Sequence, residues 1–120
     1  MKDFNDELDM MGKLLDAAAL RQRVIAGNLA NVNTPNFRRY DVEFEDVFNE
    51  AVKGGNIDRA REIQPRVVQD EGGAVKEDGN NVVLEREIGD LMRNSLYFET
   101  LTHMLTKKIN GVRTAITGRS

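Results

Sequence analysis

The chain has no cysteine and no tryptophan, two prolines, and only 6% aromatic residues. Without cysteine there are no disulfide staples and no thiolate metal ligands. With so few aromatics, any large core is built from aliphatic side chains. An excess of positive charge is also missing: 17 Lys and Arg stand against 20 Asp and Glu, a net charge of -3. That balance disfavours a nucleic-acid partner, because neutralising phosphates takes a basic field. No apolar run approaches the roughly 20 residues that span a bilayer. Asp3, Asp6, Glu7 and Asp9 interrupt the start, where a signal peptide would carry its apolar region. Composition alone therefore places the protein in the cytoplasm, although a protein exported without a cleaved signal has the same composition. What remains is 40% hydrophobic and 31% charged residues in a chain of 120. That suits one folded or assembling helical domain rather than a disordered segment.

The apolar residues fall in two long patterns. Phe4, Met11, Ala18 and Ile25 recur every seven residues, and Leu8, Leu15, Gln22 and Leu29 repeat the pattern four residues on. The alternation of fours and threes is a heptad seam, and a helix over residues 3–31 would be about 40 Å long. The second pattern joins the row Leu84, Leu91, Phe98, Leu105 and Val112 to the row Ile88, Ser95, Thr102, Ile109 and Ile116. Fully helical, it spans about 50 Å. Between them, the stripe from Asp41 to Val52 (Phe44, Val47, Phe48, Ala51, Val52) predicts a short helix ended by Gly54-Gly55. Gln64–Gln69 and Ala74–Lys76 flank Asp70-Glu71-Gly72-Gly73 as a possible weak β-hairpin. The expected fold is mainly α in a single domain. An N-terminal helix in residues 1–33 and a C-terminal helix in 82–120 pair as an antiparallel coiled-coil hairpin, and 34–81 form a loop-rich middle.

Charge favours the antiparallel sense. The acidic start of the first helix faces the basic end of the second (Lys107, Lys108, Arg113, Arg119), and Arg21 and Arg23 come near Asp90 or Glu99. Each exposed pair contributes only about 0–1 kcal/mol, so such pairs set orientation more than stability. Gln22, Ser95 and Thr102 interrupt the seams; tolerated polar substitution is favoured over control of register. Met10, Leu14, Ala17, Leu20 and Val24 widen the apolar face of the first helix. Leu96, Tyr97, Leu101, Met104 and Ala115 do the same for the second. A helix apolar on most sides needs more than one neighbour, and lateral packing against other copies is the simplest supply.

The most informative stretch closes the first helix: Ala26-Gly27-Asn28-Leu29-Ala30-Asn31-Val32-Asn33-Thr34-Pro35-Asn36-Phe37-Arg38. Asn31, Asn33 and Asn36 tolerate left-handed backbone. Thr34 is held extended by the proline that follows, and Phe37 can fold back as an apolar anchor. Residues Leu20 to Asn31 followed by Thr34-Pro35 resemble the N-terminal motif of the flagellar rod and hook axial proteins, an Ala-Asn-Asn-hydrophobic-Ala-Asn core leading to Thr-Pro-Gly-aromatic-basic. The matching positions are Ala26, Asn28, Leu29, Ala30, Asn31, Thr34, Pro35 and Phe37. Gly27 and Asn36 depart from the motif, which usually has Asn and Gly there. Asp78–Ile88 and Lys107–Gly118 resemble the two ends of the last helix in the short proximal rod subunits of that family.

The resemblance implies a structural subunit exported unfolded through the flagellar type III apparatus without a cleaved signal. It implies assembly with copies of itself in a helical rod that crosses the periplasm, encloses the export channel and transmits torque. Implied partners are other rod proteins (FlgC, FlgF), the rod adaptor FliE and the membrane ring. Pairing and assembly would use Phe4, Leu8, Met11, Leu15, Ile25, Leu84, Ile88, Leu91, Phe98, Leu105, Ile109, Val112 and Ile116. Phe4–Leu8 and Phe44–Phe48 have the Phe-x-x-x-hydrophobic form that resembles an export-recognition element, with Phe44 and Phe48 the candidate residues. Helix packing explains that form equally well.

No catalytic residue, cofactor or metal is expected. His103 is the only histidine, and no phosphate loop, nucleophile-base pair or ligand cluster accompanies it. Another short rod subunit such as FlgC is an alternative. So is a cytoplasmic coiled-coil regulator or chaperone dimer, which would leave the Asn-Leu-Ala-Asn and Thr-Pro segment unexplained.

Overall fold

A computed structural model describes residues 4–118, which follow the order α1 (Phe4–Ala30), β1 (Tyr40–Glu43), α2 (Glu45–Lys53), α3 (Ile57–Glu62), β2 (Arg66–Gln69) and α4 (Leu84–Thr117). The molecule measures 63 × 31 × 15 Å, so its shape is set by its two long helices. Asp3 and Arg119, assigned above to the charged helix ends, lie outside the described residues.

α1 is proline-free and rich in Ala and Leu, with Asp6 and Glu7 in its first turn, where the helix dipole favours negative charge. It stops within the signature, at Ala30. Both the backbone N–H (3.1 Å) and the side-chain amide (2.8 Å) of Asn31 donate to the carbonyl of Gly27, and Thr34-Pro35 follows. Among the described residues Asn36 is the one non-glycine with positive φ, at 64°; Asn31 and Asn33 do not adopt it. Asn36 meets Gly79, itself at φ 86°, and a Cβ at Gly79 would lie 2.3 Å from the Asn36 side-chain oxygen. Only glycine fits there.

α1 and α4 lie antiparallel. Glu7 pairs with Lys108, Gln22 donates to Ser95 at 2.9 Å, and Asn28 donates to Glu87 at 3.3 Å. The expected charge alignment holds at Glu7. At the other end Arg21 turns instead to Glu45, while Asp90 is taken by Arg86 and Arg93 on its own helix.

The middle segment differs from expectation in three places, one of them the unexpected helix α3. Residues 40–43 are strand, and the helix begins only at Glu45. β2 is present, but it does not form a hairpin with Ala74–Lys76. It pairs antiparallel with β1, in the register Tyr40↔Gln69, Asp41↔Val68, Val42↔Val67 and Glu43↔Arg66. A local turn motif cannot reveal a partner strand that lies before two intervening helices. The sheet and α2 and α3 then close over α1. Met10, Ala17, Val42, Phe44, Phe48, Ala51 and Ala60 form the core, with Leu14, Leu20, Val24, Val52, Ile57 and Ile63 packed around it. The second apolar face of α1 is therefore covered by its own chain, where lateral contacts with other copies were expected. Arg61 on α3 pins the cover by pairing with Asp6 and Asp9, and Lys13 donates to the Ile63 carbonyl at 2.8 Å.

Candidate assembly site: a polar knot and an uncovered helix face

Where α1 ends, six polar side chains tie the helices and strands together. Asn28, 1% exposed, acts as a substitute strand. Its amide donates to the Tyr40 carbonyl at 2.8 Å, and its oxygen accepts the Tyr40 N–H at 2.9 Å. The same amide reaches Glu87, which has no exposed surface. Arg39 donates through Nε to Glu87 at 2.5 Å and through a terminal nitrogen to Asp70 at 2.7 Å. Asn81 accepts from the Arg39 N–H at 2.6 Å and donates to the Asp70 carbonyl at 2.6 Å. Asn80 donates to the carbonyls of Asn31 and Thr34, both at 2.8 Å. No buried side-chain polar atom among the described residues lacks a partner, the condition under which a buried polar network rigidifies a fold.

The charges in the knot reinforce one another. Burial opposes the Arg39 charge, but the hydrogen bonds to Glu87 and Asp70 outweigh it and raise the Arg39 pKa. The Arg39 hydrogen bond, followed by the Gly72 backbone N–H, lowers that of Asp70. A second clamp lies one helical stretch earlier. Arg21 grips Glu45 with two bonds of 2.6 Å and the Val42 carbonyl with a third of 3.1 Å. Its hydrogen bond to Glu45 raises the Arg21 pKa against the effect of burial. Burial pushes Glu45 up, but the bond to Arg21 prevails and its pKa is lowered.

The helix seam is partly polar as well. Asn94 donates to the Ala18 carbonyl at 2.8 Å and to Gln22 at 2.7 Å. Gln22 in turn bonds Ser95, so these two polar interruptions hold the register of the pair. Thr102 bonds only the Phe98 carbonyl on its own helix. The residues of α4 turned towards α1 are the row Glu87, Asn94 and Leu101, all buried. Apolar periodicity could not show this row, because two of its members are polar and are buried only because α1 and Arg39 supply partners.

Of the expected pairing and assembly residues, Ile25 is buried, and Phe4, Leu8, Met11, Leu15, Leu91, Leu105 and Val112 are half-buried. Leu84, Ile88, Phe98 and Ile109 are 40–45% exposed, and Ile116 is 79% exposed. Met92 and Leu96, at 63% and 64%, are bare on the outer side of the same helix. All the exposed large apolar residues on the two long helices are on α4. In the motif, Asn28 is buried, Leu29, Asn31 and Phe37 are half-buried, and Ala26, Ala30, Thr34 and Pro35 face solvent. Phe37 makes an edge contact with Tyr40 at 5.9 Å. Phe44 and Phe48 stack at 4.9 Å in the core, both 3% exposed. Arg39, Asn80, Asn81, Glu87 and Asn94 were not singled out as site residues. The only sequence signal for them was a charged or amide residue at the edge of an apolar row or turn.

The segment 15–38, which carries the end of α1 and the turn into the knot, matches the family model described as flagella basal body rod protein. Beyond that segment, the chain is 30% identical to the flagellar basal body rod protein FlgB of Borrelia hermsii, over 97% of this chain and 99% of that protein. The chain belongs to the FlgB family of flagellar basal body rod proteins. FlgB of Aquifex aeolicus is 28% identical over 94% of each chain. FlgB of Bacillus subtilis strain 168 is 26% identical over 98% of each. The matched family segment thus contains Asn28, whose side chain fastens α1 to the rest of this FlgB-family fold, and Asn31, whose backbone carbonyl accepts from Asn80. His103 is exposed beside Glu99, and no three His, Asp or Glu among the described residues gather as a metal site requires. No helix among them is long and apolar enough to cross a membrane.

Proposed function

We propose that the chain is a structural subunit of the proximal rod of the flagellar basal body, without enzymatic activity. It assembles with copies of itself, and with the neighbouring rod proteins FlgC and FlgF, around the export channel and transmits torque. FliE and the membrane ring contact its base. The observation that carries this reading is the set of exposed apolar side chains strung along α4, Leu84, Met92, Leu96 and Ile116 among them, in a chain that a FlgB relative matches over 97% of its length. So much exposed apolar surface on one helix marks a contact surface. The knot supports a mechanical role, because it joins α1, the sheet and α4 by buried bonds rather than through a flexible linker.

Export in an unfolded state fits the same reading. Phe44 and Phe48 are at the centre of the core, so an export apparatus could read them only before folding. Phe44→Ala should reduce secretion of the chain; secretion at the original level would remove this role.

The test of the main reading is deletion of the gene in its host, followed by complementation. Cells without it should stop basal-body construction before the rod. The original chain should restore the rod, and Leu96→Asp, Asn31→Ala or Thr34→Ala variants should restore it poorly. Complete basal bodies in the deletion strain would refute the proposal.

A further inference from the structure

The two ends of the molecule differ in a way that suggests how copies join along an axis. In the register Glu7–Lys108, Gln22–Ser95 and Asn28–Glu87, Phe4 lies level with Gly111. The last turns of α4 carry Val112, Ala115 and Ile116, the last 79% exposed. They also carry Arg113, which has no ion pair among the described residues, as does Lys107 just before.

The opposite end has a complementary shape. A shallow hollow of about 300 Å³ opens beside the α1 terminus, lined chiefly by Val24, Gly27, Phe37, Tyr40 and Val67. Gly27 makes room for it, since a Cβ there would meet nothing within 4 Å. The resembled motif usually has Asn at this position. The adjacent loop carries the exposed acids Glu77 and Asp78, held near Phe37 by the Asn36 N–H donating to the Asp78 carbonyl at 2.8 Å.

We infer that the α4 tip of one copy docks in the Gly27 hollow of the next. Ile116 and Val112 fill the apolar floor, and Arg113 faces the acidic rim. Such a contact joins two different surfaces and cannot close on itself in a pair, so it propagates as an open line of subunits. The inference rests on the self-assembly proposed above and adds the axial contact to it.

The chain has no cysteine, so introduced thiols report cleanly. In the Ile116→Cys, Val67→Cys double variant the two thiols stand at opposite ends of the molecule. A short bis-maleimide can then link them only between copies. A ladder of dimers, trimers and longer products is expected. Adding Gly27→Leu, which fills the hollow while strengthening the helix, should abolish the ladder without lowering the thermal midpoint; Gly27→Ala should keep it. A lateral probe, Leu96→Cys, separates the two readings. Cross-linking through Leu96→Cys with no ladder from the end-to-end pair overturns the docking and leaves the assembly reading intact. A ladder that survives Gly27→Leu also overturns the docking. No cross-linking by either probe overturns both.

Discussion

α1 and α4 begin from similar heptad patterns and end in opposite situations. α1 is enclosed on one side by α4 and on the other by the sheet, α2 and α3, with Ala17 and Ala18 fully buried. α4 is covered on one side only and leaves Met92, Leu96 and Ile116 largely in solvent. Small residues on α1 allow two close neighbours, and large apolar residues on the outer side of α4 have none within the chain. The middle segment thus packs its buried apolar side chains on one helix. The comparison shows which helix is finished within the monomer and which is completed by other subunits.

The largest effect is expected where the two helices are joined. Arg39→Ala strands the fully buried Glu87 carboxylate with only the Asn28 amide, and breaking a buried pair in this way costs about 3–5 kcal/mol. Urea unfolding should show the loss. A change below about 1 kcal/mol would mean that the knot does not hold α1 to α4.

The contrast between the helices themselves is tested by removing apolar mass from each side. Phe48→Ala uncovers α1 and should destabilise the monomer by about 3–5 kcal/mol. Leu96→Ala on the bare face should change monomer stability by no more than about 0.5 kcal/mol, while weakening self-association. Equal losses from the two substitutions would erase the distinction.

A smaller effect is expected from pH. Asp70 and Glu45 have folded-state pKa values below their ordinary 3.8 and 4.5. Their contribution is present above those ordinary values and is lost as the pH falls through the depressed ones. Stability of the monomer should be flat with respect to these groups above about pH 5 and should decline below about pH 4. Both groups hold the cover over α1, so the middle segment should loosen before the α1–α4 pair does. Acid titration followed by amide exchange in each element would reveal the reverse order if the account is wrong.

Much of this asymmetry was legible in the sequence. The heptads gave both long helices and the charged helix ends their antiparallel sense, the Thr34-Pro35-Asn36 turn gave the helix stop and the positive φ of Asn36, and Phe44 and Phe48 gave α2. The bare face could also be seen as surplus apolar surface, but not its restriction to α4. That depended on the middle segment closing over α1 through a β1–β2 pairing between strands distant in sequence. The knot was hidden for a different reason. Asn28, Arg39, Glu87 and Asn94 look solvent-facing by residue type, and only their mutual hydrogen bonds make burial tolerable. α3, capped by the Asn56 side chain accepting from the Arg59 N–H at 3.1 Å, is too short to show a period.

The central claim is that the outer face of α4 is bare in the monomer and covered in the assembly. Thiol labelling of a Leu96→Cys chain tests it most directly, since no other cysteine competes. The dilute, monomeric chain should label at the rate of a free surface thiol, and the assembled chain should be protected at least tenfold. Equal labelling in the two states would contradict the account.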